Sequence, residues 1–186
     1  MIQLVLTVVL LASCVTVEEP DDYSDRALVF AWIHVGENEA DRLISASIRK
    51  FEPSSGESFN LYQAKFGDGY ILWNFGIPAQ AHYEFEGFQV LPCPIVVLMC
   101  YDEILTYYFS VVGEADGQTA VPRPGVYNMG SFALDPSDRP GIFELSSEFK
   151  MQRVAGPSKA SMLEFLLSKV PKGHPELAAR IRAAMG

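Results

Sequence analysis

Gly69-Tyr70-Ile71-Leu72-Trp73-Asn74-Phe75-Gly76-Ile77-Pro78-Ala79-Gln80-Ala81-His82-Tyr83-Glu84-Phe85-Glu86-Gly87-Phe88-Gln89-Val90 decides the fold class. From Ala81 on, apolar and polar residues alternate, which is the period-two pattern of a strand with one buried face. The part before Pro78 is β-branched and aromatic, and it follows Gly67-Asp68-Gly69, whose glycines admit positive φ in a hairpin turn with Ser58 to Phe66. Further upstream, Leu43 to Phe51 alternates roughly and stops at Pro53-Ser54-Ser55-Gly56, while Ala27 to Val35 is a β-rich run closed by Gly36-Glu37-Asn38-Glu39. Downstream, Ile95 to Met99 is continuously apolar, and Leu105 to Val112, Tyr127 to Leu134 and Ile142 to Lys150 are three more candidate strands. Eight or nine short strands with turn signals at this spacing predict a mainly β domain, an antiparallel sandwich or barrel, over residues 27–156.

After Gly156-Pro157 the period changes from two to about 3.6. Ser158 is placed to cap a helix whose apolar face is Met162, Leu163, Phe165, Leu166, Leu167 and Val170, and Pro171-Lys172-Gly173 stops it. A second helix starts near Pro175, with Glu176 in its first turn, Arg180 and Arg182 toward its end, and Leu177, Ile181 and Met185 along one side. Residues 157–186 therefore read as an α-helical hairpin that packs on the β domain, as a lid on a sheet face or on a sandwich edge. A partner-binding helix is the other use such an apolar face allows.

The segment Gly69 to Phe85 resembles the hairpin of transthyretin-like and carboxypeptidase-regulatory-like sandwiches, in Phe75, Ile77, Pro78, Tyr83 and Phe85. It departs from that pattern after the proline, where Ala79-Gln80-Ala81 has no glycine. Val126 to Leu134 resembles the late strand of uncharacterised bacterial lipoproteins built on such sandwiches, which often end in a helical hairpin. The resemblance implies an antiparallel β-sandwich with a C-terminal α-helical hairpin; an immunoglobulin-like sandwich is the rival.

Leu4-Val5-Leu6-Thr7-Val8-Val9-Leu10-Leu11-Ala12-Ser13 is an uncharged apolar run closed by Cys14, immediately before the chain turns acidic. Leu11-Ala12-Ser13-Cys14 resembles the lipobox of a bacterial lipoprotein signal, with a branched apolar residue, two small residues and the cysteine that takes lipid. The resemblance implies removal of residues 1–13, a diacylglyceryl thioether on Cys14 and usually an additional acyl chain on its new amino group; two or more chains hold stably in a bilayer. Two alternatives share the pattern: an ordinary secretory signal, and an uncleaved membrane helix at the short end of spanning length. Met1-Ile2-Gln3 departs from the family in carrying no Lys or Arg. Residues 14–26, with Pro20 and five acids, then read as an acidic linker that lifts the domain off an anionic surface, or as a merely solvated terminus.

The formal charge of −9 stays wholly with the 173 residues from Cys14 onward, because the first 13 contain no ionisable side chain. Such an acidic chain, with no clustered Lys/Arg, repels nucleic acid. Cys93 and Cys100 would lie on opposite faces of one straight strand, so they either close a disulfide across a bend or stay as two buried thiols. CxxC spacing is absent, and no metal or cofactor is expected. His34, His82 and His174 are isolated in sequence; His34 reads as a satisfied sheet histidine, and acids in turns at Glu114, Asp116, Asp135 and Asp138 make only a weak calcium pattern. With no catalytic residues assigned, the function expected is a noncatalytic module anchored in the bacterial cell envelope, periplasm-facing or at the cell surface. It would meet the membrane through lipid on Cys14 and a protein partner through its loops or C-terminal helices. The alternative is an envelope hydrolase whose site assembles from distant residues such as His82, Glu84 and Asp102.

Overall fold

The structure, a computed structural model, describes residue 17 and residues 19–35, 42–53, 56–91, 105–108, 117–134 and 151–186. Cys14, Cys93, Cys100, Asp102, the four turn acids and the expected strands at 95–99 and 142–150 lie outside the described residues. Within them run β1 (Arg26–Val35), β2 (Arg42–Glu52), β3 (Ser58–Phe66), β4 (Gly69–Pro78), β5 (Ala81–Leu91), β6 (Leu105–Tyr108), β7 (Thr119–Val121), β8 (Val126–Leu134), β9 (Met151–Arg153), α1 (Lys159–Leu167) and α2 (Pro175–Met185). β7 carries no alternation that three residues could show, and the sequence gives no sign of it.

The strands form one curled sheet in the order β6-β5-β2-β3-β4-β1-β8-β9, with β7 also on β5. β3 makes the corner. Its first residues, Ser58 to Leu61, pair with β2, and the rest, Tyr62 to Phe66, pair with β4. The two halves thereby face each other across a core that takes Val29, Ala31 and Ile33 from β1, Ile48 from β2, and Tyr83, Phe85 and Phe88 from β5. The result is a half-barrel and not two separate antiparallel sheets.

Two expectations are corrected. The sheet is mixed: β1 pairs antiparallel with β4 on one edge and parallel with β8 on the other, from Leu28 opposite Val126 to Val35 opposite Leu134. A strand in that position is covered on both faces, which is why Ala27 to Ile33 is apolar throughout and does not alternate. Alternate residues serve different layers, Val29, Ala31 and Ile33 the inner core and Leu28, Phe30 and Trp32 the outer face. In addition, the segments on either side of Pro78 are not partners in a hairpin. β4 bonds to β1 and β3, whereas β5 bonds to β2, β6 and β7, so the chain crosses from one half of the sheet to the other at Ala79-Gln80.

The crossing uses left-handed backbone without a glycine. Gln80 itself adopts φ +62°, and its amide donates to the Val121 carbonyl at 2.7 Å. Tyr83 Oη donates to the Pro78 carbonyl at 2.7 Å and fastens the crossing to β5, and burial pushes the Tyr83 phenol well above its usual range. Left-handed backbone costs a non-glycine residue about 1–2 kcal/mol, part of which glycine would return as unfolded-state entropy. Gln80→Gly should therefore raise stability by about 0.5–1 kcal/mol, visible as a higher urea midpoint at unchanged m-value. The β3–β4 hairpin forms as the sequence implies, with Gly67 at φ +64° in a two-residue loop between Phe66 and Gly69.

The two helices cover the outer face of β1 and β4. Ser158 caps α1, its side chain accepting from the Ser161 amide at 3.1 Å, and Pro175 opens α2. Met162, Leu163, Leu166, Leu177 and Ile181 bury against Phe30, Trp32, Ile71, Trp73 and Phe75. Of the two placements expected for the hairpin, the lid on a sheet face is the one formed.

Candidate functional site

The acidic stretch expected as a linker is instead held against the helix-covered face from Glu19 onward. Val17 is buried, and Glu19 accepts the Tyr62 hydroxyl at 2.6 Å. Burial and the neighbouring Glu19 carboxylate push the Tyr62 phenol up to about 12. Pro20 lies on Gly76, where a Cβ would come within 2.8 Å of its ring, so the close approach depends on glycine. Tyr23 is 2% exposed in the outer core, its ring edge-on to His174 at 4.7 Å. Desolvation raises the Tyr23 phenol above its ordinary value.

Arg180 of α2 secures this strap. Its guanidinium donates to the carbonyls of Tyr23 at 3.0 Å and Arg26 at 2.9 Å, with Ser24 at 3.4 Å. A planar fork of five donors suits several carbonyls of one bend, a task lysine could not match. Ser24 in turn donates its amide and hydroxyl to Asp22, which lowers that carboxyl below its usual range. Beside Arg180, Glu176 accepts from His174 Nδ1 at 2.9 Å, and its carboxyl is lowered, chiefly by its own backbone amide at the start of α2. The sequence places Arg180 as a dipole partner near the end of a helix; that it grips residues more than 150 positions earlier is visible only in three dimensions.

The opposite side of the domain is the polar outer face of β2 and β5. Arg49 stands across from Glu84 in the register, and its Nε and Nη2 both donate to Glu84 Oε1 at 2.6 Å. Gln118 donates to Oε2 at 3.1 Å, so both oxygens of a carboxylate only 5% exposed are satisfied. Ser45 of β2 donates to Gln89 of β5 at 2.8 Å, and Ser58 at the start of β3 donates to Glu86 of β5 at 2.9 Å. Glu84 is thus a brace between two strands, with both of its oxygens already accepting from side chains.

The histidines are dispersed. His82 lies two residues from Glu84 but its Nδ1 is 3.2 Å from Glu52, and its ring contacts Phe51 at 5.8 Å. Glu84 therefore does not orient the His82 ring, and that part of the envisaged catalytic constellation does not assemble. His34 stacks on Trp32 at 6.0 Å, its Nδ1 3.9 Å from Asp68, which places it at the sheet margin. Among the described residues, no three His, Cys, Asp or Glu side chains converge as a metal site, and no helix is long and apolar enough to cross a membrane.

No protein-family model matches the chain, and no curated protein matches it. Among solved structures it is similar to a candidate cell adhesion protein of Bacteroides fragilis, at 8% identity and a TM-score of 0.40. The match covers 73% of this chain and 48% of the other, so the chain spans about half the length of that neighbour.

Proposed function

We propose that the chain is a bacterial envelope lipoprotein, cleaved before Cys14 and acylated there, whose domain is a noncatalytic binding or structural module. The observation that carries this is Leu11-Ala12-Ser13-Cys14 at the end of an uncharged apolar run. The described part of the chain supports the noncatalytic half. Its most buried carboxylate, Glu84, is spent on Arg49 and Gln118, and its histidines bond or stack with separate partners. A protein partner would meet the loops or the helix surface, where Met185, at 40%, is the exposed large hydrophobic side chain among the described residues.

Intact mass and detergent partitioning of the protein made in a bacterial host, beside Cys14→Ala, test the proposal. The wild type is expected at the mass of residues 14–186 plus acyl chains and in the detergent phase. Cys14→Ala should lose the lipid mass, and the same chain made without residues 1–13 should partition almost wholly into water, since it carries neither acyl chain nor apolar run. A wild-type chain without lipid would overturn the proposal.

A further inference from the structure

Where the strap begins sets which side of the domain can meet a membrane. Glu19 is fixed by Tyr62 and Tyr23 by Arg180, both on the helix-covered face of the half-barrel, and Val17 is already buried. Cys14 precedes Glu19 by five residues, so an anchor there reaches at most about 17 Å from that face. The opposite surface, the outer face of β2 and β5, is two layer spacings away, helix to sheet and sheet to sheet, or about 20 Å before side chains are added. A tether of that length cannot turn the domain over.

We propose that the helix-and-strap face of the domain is held against the lipid surface in a fixed orientation, leaving the outer face of β2 and β5, with Arg49, Glu84 and Gln118, pointing away from it. The inference rests on the lipoprotein reading above. Charge assists only in part. Lys169, Lys172 and Arg182 are exposed on the helical layer, and residues 157–186 hold five Lys/Arg against two acids, but the strap sets Asp21, Asp22 and Asp25 on the same side. The covalent tether fixes the orientation, and the basic residues favour an anionic leaflet once they are there.

Acylation of lysines by a water-soluble amine reagent reads the orientation. The full lipidated chain in vesicles of phosphatidylethanolamine and phosphatidylglycerol is compared with the soluble Cys14→Ala chain made without residues 1–13. Lys169 and Lys172 are expected to react about threefold or more slowly on the vesicle, with a third reporter, His82→Lys on the exposed outer face of β5, unchanged. A variant with about twelve Gly/Ser residues inserted between Thr16 and Val17, which adds about 20 Å of mean reach, should recover the soluble rates. Failure of the wild type to float with the vesicles would overturn the lipoprotein reading itself. Flotation with equal rates at all three positions, or with His82→Lys protected in place of Lys169 and Lys172, would overturn the orientation alone. Protection that survives the insertion would overturn the tether as its cause.

Discussion

Trp32→Ala is expected to destabilise the domain by about 3–5 kcal/mol, the range for removing a buried aromatic from a packed core. Trp32 is 3% exposed and lies where the central strand meets the helical layer. Its Nε1 donates to the Phe66 carbonyl at 3.0 Å, next to the β3–β4 turn, so the substitution leaves that carbonyl without its partner as well as opening a cavity. Two glycines are shaped to the ring. A Cβ on Gly69 would lie 2.5 Å from Trp32 Cζ2 and from the Ile33 carbonyl, and one on Gly156 would lie 3.2 Å from Cε3 and closer still to Ser131. Gly69→Ala should therefore also destabilise clearly, with no flexible end of a side chain to give way. Urea unfolding followed by far-UV circular dichroism reads both variants as a lower midpoint. A loss under 1 kcal/mol for Trp32→Ala would mean that the helical layer is not packed as the structure has it.

The second large effect comes from Arg49→Leu. The guanidinium is partly open to solvent, but the Glu84 carboxylate it holds is not, so removing Arg49 strands a buried negative charge. The expected cost is about 2–3 kcal/mol, below the value for a fully buried pair because one partner is half solvated. Glu84→Gln added to Arg49→Leu should recover at least half of that, since an amide is far less costly to bury unpaired than a carboxylate. The double-mutant cycle separates the pair from its background. If Arg49→Leu cost under 0.5 kcal/mol, in the range of an exposed ion pair, the carboxylate would have to be reached by water.

Local pattern carried much of the fold. β3 spans the expected residues, Ser58 to Phe66, and β1, β2, β5 and β8 begin or end within a residue or two of the expected bounds, because alternation and β-branched runs report local burial. The helical hairpin was legible for the same reason, through Ser158, Pro175 and a period of 3.6. Pairing was not legible. Nothing in Ala27 to Val35 says that one edge will take β4 and the other β8, and the step at Ala79-Gln80 has the composition of a turn whether it joins partners or crosses between sheet halves. The strap escaped for a different reason. Pro20 and the acids around it are the composition of a solvated linker, and their capture depends on Tyr62, Gly76 and Arg180, residues 40 to 160 positions away, which no local window contains. Likewise Arg49 and Glu84 are ordinary charges on separate strands until the register sets them opposite each other.

The parallel pairing of β1 with β8 also bears on when the chain can fold. Leu28 meets Val126, so the innermost strand is bordered on one side by residues that leave the ribosome about a hundred positions later. An emerging chain can close the β3–β4 hairpin early, but it cannot complete the layer around β1 until nearly three quarters of it has been made, and such distant pairing is slow. On the proposed lipoprotein reading, in which the chain crosses a membrane as an open thread, that delay would be an advantage: the topology that fixes the finished domain would leave the nascent one loose during export.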